Sequence, residues 1–336
     1  MHHPTAAVGM LEISERPDII PVNGRNISAH IDLWFADLEN RELSDRTISN
    51  YHHQIRPFLL WWHEYGGQQG WALDPDSLKH FGAWLRKEYQ TPRGARLNAN
   101  SRETTCRRLR QFFRWLYIER RLPIDITSWV PSPKRQPTKQ HKLTLSDLAA
   151  LLTAAHQGRN PVRDQAIIGF IAGTGARRAE VWSAQIEDIK LHADCSGSCY
   201  LRRTKADKPR TIIFGRVTGQ LLTRHLDENG RINGPLFDFV TPDSIRLVIN
   251  RLGDRAGLEN VSPHQLRKLF SSYWYAHYPD DRRADFMLRL LLGHAPRNVT
   301  EKHYLLLTTE DARPVFVSPM ESPDIVGRIA NQAKTI

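Results

Sequence analysis

Cysteine is scarce: the 336 residues contain three, Cys106, Cys195 and Cys199. That is too few and too uneven for a disulfide framework, so packing must hold the fold and a reducing compartment is expected. Long apolar runs are missing as well. None approaches the roughly 18 residues that a membrane span needs, and the opening "MHHPTAAVGMLEISERPDII" lacks the basic start and apolar core of a signal peptide. A cytoplasmic location with no membrane partner is expected. Carboxylates do not gather at metal-ligand spacing. His192, Cys195 and Cys199 in "HADCSGSC" offer only three loosely spaced donors, so a flexible loop with free thiols is expected there and no metal. Acid is the last deficit: 36 Asp and Glu face 47 Lys and Arg, a formal net charge of +11. A basic surface attracts phosphate backbones and releases their counterions, which favours a polyanionic partner.

What is present is mostly helical periodicity. From Asn26 to about Arg121, "ISAHIDLWFADLEN", "DRTISNYHHQIRPFLLWWHEY", "DSLKHFGAWLRKEYQ" and "SRETTCRRLRQFFRWLYIERR" repeat apolar residues at three and four. This predicts four helices, with Ser44 or Asp45 capping the second and Asn100 or Ser101 the fourth. Trp34, Trp61, Trp84 and Trp115 fall at apolar helical positions and are expected in the core. In the fourth segment Leu109, Phe112, Phe113 and Leu116 share one side, while Arg107, Arg110, Arg114 and Arg121 form a basic stripe without interleaved acids, near Arg93, Arg96 and Arg102. The stripe is a candidate DNA contact. "LPIDITSWVPSPKRQPTKQHK" carries four prolines and basic residues including Lys134 and Arg135, which predicts an exposed connector.

Beyond it, "TLSDLAALLTAAH" predicts a helix capped by Thr144 or Ser146, and "PVRDQAIIGFIAGTGARRAEVWSAQ" a buried helix, a glycine turn and a second helix. "CYLRR" and "RTIIF" read as two short strands about a polar turn, after which helical periodicity resumes. The tail "SPDIVGRIANQAKTI" places Ile325, Val326, Ile329, Ala330 and Ala333 on one stripe. The expected organisation is an extension over 1–25, a helical domain over 26–130, a basic linker over 131–142, a mixed but mostly helical domain over 143–310, and a tail over 311–336. The fold class is mainly α with a small β-hairpin or sheet.

Several residues carry chemistry, each weakly by itself. Arg177 in "TGARRAE" starts a helix after a glycine turn, where a guanidinium and backbone N–H groups can face an anion; a surface arginine is the bland alternative. His264 and Arg267 in "SPHQLRKLF" lie three apart on one helix face. His294 follows Gly293, Tyr304 lies beyond it, and Lys205 sits on the polar turn. Their order is far harder to obtain by chance than any member.

In that order the sequence resembles the tyrosine recombinase, or phage integrase, family, from about Ile27 to Tyr304. "LSDRTISNYHHQIRPFLLWW" and "SRETTCRRLRQFFRWL" resemble its SAM-like core-binding helices, and "HKLTLSDLAALL" resembles the entry to its catalytic domain. The resemblance implies a C-shaped clamp of two domains on DNA and catalytic residues Arg177, Lys205, His264, Arg267, His294 and Tyr304, with Glu180 in support. It implies site-specific cleavage and rejoining through a 3′-phosphotyrosyl intermediate and a Holliday junction. Neither ATP nor another cofactor is required, and the expected partners are double-stranded DNA, a homotetramer on two sites and an accessory protein, with a nucleoid-associated location. The tail would dock on a neighbouring subunit. A non-catalytic DNA-binding protein on the same fold and a type IB topoisomerase-like relaxing enzyme are the alternatives.

The proposed roles agree with elementary chemistry. Two arginines can stabilise the extra negative charge on a phosphodiester under attack. A phenol of pKa about 10 needs an imidazole, here His264, to take its proton, and Lys205 can protonate the departing 5′ oxygen. His294 would hydrogen-bond the phosphate, and Glu180 would orient its neighbours. Two departures stand out. The family's usual offset from the histidine of "LGH" lands on His303, one residue short of Tyr304, so "APRN" reads as holding one extra residue. Lys268 stands where many relatives have a second histidine. Covalent adduct formation on a nicked substrate should survive His303→Phe and disappear in Tyr304→Phe; the reverse outcome would reassign the nucleophile.

Overall fold

The computed structural model describes residues 26–66, 73–137, 142–202, 209–293 and 308–333. Two compact units divide between Thr138 and Lys139. Each is treated by itself below.

In the first unit the described residues form α1 (Ile27–Asn40), α2 (Asp45–Trp61), α3 (Pro75–Lys87) and α4 (Ala99–Ile118). Ser44 caps α2 by accepting from the Thr47 N–H, and Asp74 and Ser77 make a reciprocal capping box on α3. Asn98 caps α4, two residues before Asn100 and three before Ser101. Asn100 is used elsewhere: its side-chain amide exchanges two 2.9 Å hydrogen bonds with the backbone of Gln136. Together with the 2.8 Å pair of Arg135 and Glu103 this straps the first part of the connector to α4. The core is aromatic. Trp34, Trp61, Trp84 and Trp115 are buried as expected, and Phe58 meets both Phe81 and Phe113 edge-on.

The basic stripe of α4 needs a correction, because acid reaches it from beyond the helix. Arg114 pairs with Asp125 at 2.5 Å. Arg110 donates to the Ser132 hydroxyl, and the Arg121 guanidinium lies over the Trp115 ring. Arg107 and Lys134 are exposed.

The second unit is built round α6 (Pro161–Thr174), apolar on all sides and packed between α5 (Leu145–His156), α8 (Arg216–Asn229) and α10 (Pro263–His277). Thr144 and Asp147 form the capping box of α5. The remaining helices are α7 (Arg178–Ser183), α9 (Pro242–Arg255), α11 (Arg282–Leu292) and α12 (Pro323–Ala333). Glycines let α6 and α8 approach closely: a Cβ on Gly173 would lie 2.1 Å from Thr218 Oγ1. The sheet has three antiparallel strands, β1 (Ile189–Leu191), β2 (Gly197–Leu201) and β3 (Arg210–Phe214), in the order β1-β2-β3 with Cys199 opposite Ile212. The strand β1 goes beyond the expected pair, since three residues, "IKL", show no usable alternation. Cys199, expected both in a loop of free thiols and at the head of the strand "CYLRR", belongs to β2, and burial pushes its thiol up to about 12.

The tail forms α12, which packs on the second unit. Ile325 and Ile329 of α12 are buried against the unit's core, and Gln332 accepts from Gln165 at 2.7 Å. Among the described residues no helix is long and apolar enough to cross a membrane.

Gly173→Ala should destabilise the second unit by roughly 1–3 kcal/mol through overpacking against Thr218. A thermal melt should show that unit's transition lowered by several degrees while the first unit's transition is unmoved.

Candidate active site

The site forms where α6 ends, α7 begins and α11 ends. Gly175 closes α6 with φ +67°, in the left-handed region, and a Cβ there would lie 2.7 Å from Phe270 and 2.8 Å from Leu292. Arg177, two residues on, is the N-cap of α7. Its backbone N–H donates to Glu180 Oε2 at 2.7 Å and one Nη donates to Glu180 Oε1 at 2.8 Å. The capping box is thus made by an arginine and a glutamate, which fixes the guanidinium at the mouth of the site.

Glu180 is 1% exposed. Burial works to raise its pKa, but the charge of Arg210 and the hydrogen bonds and charge of Arg177 outweigh burial and hold it below the usual carboxylate range. Arg210, the first residue of β3, donates to Glu180 Oε2 at 2.8 Å. One carboxylate therefore receives three donors from two arginines.

Arg267 lies in α10, one turn after His264, and is 6% exposed. One Nη donates to the carbonyl of Gly175 and the other to that of Leu292, at 2.7 Å for the latter. Burial, then the like charges of Arg177 and Arg210, push its pKa down to about 9 against the pull of Glu180. It stays cationic at neutral pH. His264 is exposed on the first turn of α10; partial burial and the charges of Lys268 and Arg267 lower its pKa, so the imidazole is neutral at physiological pH.

These arginines converge on one helix end. The last carbonyls of a helix have no internal donor, and at α11 three in succession are met by three different guanidiniums. Leu291 accepts from Arg210, Leu292 from Arg267 and Gly293 from Arg177, the last at 3.2 Å. Cations at the negative end of a helix are favourably placed. Gly293 turns the chain with φ +63° and has no room for a side chain: a Cβ would lie 2.7 Å from Arg210 Nε.

Such a cluster of cations round one buried carboxylate suits an anion with two negatively charged oxygens. The chain matches two family models in register with its two units: the N-terminal SAM-like domain of phage integrases over residues 31–120, and the phage integrase family over residues 141–310. The chain belongs to the phage integrase family. Its relatives include tyrosine recombinase XerC of Pelobacter propionicus, 25% identical over 78% of this chain and 85% of that one. Another is tyrosine recombinase XerD of Listeria monocytogenes, 26% identical over 78% of this chain and 88% of that one. The fold is shared with a lambda integrase dimer bound to a COC′ core site, at a TM-score of 0.62 and 16% identity over 85% of this chain and 77% of that one. It is also shared with XerH bound to difH substrate, at 0.55 and 18% over 90% and 91%.

Of the six catalytic residues expected in this integrase-family chain, Arg177 and Arg267 come together with Glu180, and His264 stands one turn before Arg267. Lys205, His294 and Tyr304 lie outside the described residues. Arg210 was missed, although it begins the quoted "RTIIF"; a basic residue heading a strand of buried apolar residues was its only signal. In the first unit Arg107, Arg110 and Arg114 line one groove with Trp34 and Trp115. A second groove was also missed. Its wall carries Asn50, His53, Arg56, Arg93, Ser101 and Thr104 and no acid.

Glu180 has a depressed pKa, so its contribution to stability is complete above the ordinary glutamate value of about 4.3 and is lost as pH falls through its lower folded value. Melting temperatures measured from pH 6 to 3 should show Glu180→Gln well below wild type at pH 6, the gap closing toward pH 3. A constant gap would remove charge from the account.

Proposed function

We propose that Tyr304 attacks a DNA phosphodiester held by Arg177 and Arg267. As a tyrosine recombinase, the chain cleaves and rejoins DNA at specific sites. In the proposed scheme the Tyr304 oxygen bonds to phosphorus, His264 takes the phenolic proton, and the bond to the 5′ oxygen breaks as Lys205 protonates it. A 3′-phosphotyrosyl link and a free 5′-hydroxyl result. That hydroxyl, on the partner duplex, reverses the chemistry and releases Tyr304, so the bond energy is conserved. His294 donates to the phosphate.

The observation that carries this reading is the pair Arg177 and Arg267 on the end of α11, backed by the buried carboxylate of Glu180. Each Nη bound to a backbone carbonyl keeps a second hydrogen for an incoming phosphate oxygen. The neutral state of His264 suits it to accept a proton. Arg107, Arg110, Arg114 and Arg121, with Lys134 and Arg135, are proposed to contact the DNA backbone, and the acid-free groove of α2 and α4 supplies hydrogen-bonding side chains of the kind that read base edges. A homotetramer on two DNA sites, exchange of α12 between subunits, an accessory protein and association with the nucleoid complete the proposal.

Covalent trapping on a library of nicked duplexes, followed by sequencing of the bound DNA, tests it. Wild type should yield a protein–DNA adduct at a defined sequence, and absence of any adduct would favour a non-catalytic DNA-binding protein. Arg177→Ala or Arg267→Ala should slow adduct formation by about 10²–10³-fold, as loss of one transition-state donor does. On the acid side the rate should hold through neutrality and fall only below the ordinary histidine value of about 6.5, a limb that His264→Gln removes.

A further inference from the structure

Arg210 is the one cation of the cluster with no part in the scheme above. Its side chain is 10% exposed, and both Nη atoms are engaged, one with the carboxylate of Glu180 and one with the Leu291 carbonyl. Its Nε is buried and has no partner among the described residues. Burial, then the like charge of Arg177, disfavours this charge, and Glu180 restores it. A buried guanidinium is costly unless its geometry matters.

The other two arginines of the cluster show what the geometry is for. Arg177 and Arg267 hold the Gly293 and Leu292 carbonyls, and those guanidiniums also offer their remaining hydrogens to an incoming phosphate. Their hold on the helix end then meets competition. Arg210 holds the preceding carbonyl, and its other Nη is tied to the carboxylate of Glu180, so it can keep that hold when the phosphate binds. It also shares Glu180 Oε2 with the backbone N–H of Arg177, so the acid that orients Arg177 is itself fixed from β3. Gly293 packs so closely on Arg210 that a Cβ would fall 2.7 Å from Nε and 2.9 Å from Cδ.

We propose that Arg210 is a positioning residue for strand cleavage, pinning the C-terminal end of α11 to Glu180 so that Arg177 and Gly293 keep their alignment when the phosphate binds. A lysine, as a point charge, can reach the carboxylate or the carbonyl but cannot fork to both. Misplacement by about 1 Å is enough to slow a reaction on the order of 10²-fold.

The inference rests on the recombinase reading, and the test separates the two. Full-length wild type, Arg210→Gln and Arg210→Lys are compared in single-turnover adduct formation on a nicked duplex recovered by wild-type trapping. A second duplex carries a methylphosphonate at the scissile position, where one charged oxygen is replaced and arginine alignment matters less. On the phosphate duplex Arg210→Gln should be slower by about 30- to 100-fold, with the half-saturating DNA concentration within about threefold of wild type; Arg210→Lys should fall between. On the methylphosphonate duplex the defect should shrink to about threefold or less. Equal slowing on both duplexes, or a wild-type rate for Arg210→Gln on phosphate, overturns the inference. If Arg210→Gln has no cooperative melt, Arg210→Lys carries the comparison with the same signature required. If wild type forms no adduct, the recombinase reading falls first and takes this inference with it.

Discussion

The carbonyls of Leu291, Leu292 and Gly293 have no donor within α11, and three guanidiniums supply one each. A helix end left open inside a protein would cost the desolvation of each orphan group. Closing it with arginines satisfies those groups and at the same time gathers three positive charges at one point. That concentration is tolerable because Glu180 lies beneath it, its charge held by Arg210 and by both the backbone and the side chain of Arg177. The arginines that stabilise the helix end are thus the same ones that make the site favourable for an anion. The arrangement also explains the two left-handed glycines at the site. Gly175 and Gly293 stand where a side chain would collide with Phe270, Leu292 or Arg210.

The rest of the second unit serves that junction. The apolar helix α6 brings Gly175 to the site, and its close contact with α8 through Gly169 and Gly173 fixes the level at which it ends. The helices α10 and α11 and the strand β3 share a small core of Phe270, Trp274, Met287, Leu291 and Ile213, so Arg267, the α11 carbonyls and Arg210 are carried on one packed body. This is how a strand that contributes no expected catalytic residue enters the site. The first unit follows another logic: an aromatic core with polar and basic residues on its grooves, and a proline-rich segment strapped to α4 by Asn100 and Arg135.

Legibility in the sequence differed between these parts. The four helices of the first unit, the buried helix before "TGARRAE" and the caps at Ser44 and Thr144 could be read because they depend on neighbours within one or two turns. The Asn98 cap was misplaced because Asn98, Asn100 and Ser101 are all good cap residues, and only the pairing of Asn100 with Gln136 removes it from the choice. The strand β1 escaped because three residues cannot establish a period. That Arg114 of the α4 stripe pairs with an acid was not legible, because Asp125 lies outside the helix and is brought back by the following turn.

By itself the sequence determined the family, and it pointed to two units and to Arg177, Glu180, His264 and Arg267 as candidate site residues, because these are carried by short motifs in a fixed order. Only the tertiary structure decided that Arg210 joins them, that Glu180 is shared, and that all three arginines close one helix end. The physical reason is distance along the chain. Arg210, Glu180 and Leu291 are far apart in sequence and belong to a strand and two helices, and what each does depends on burial and on carbonyls whose open valence exists only once α11 has ended.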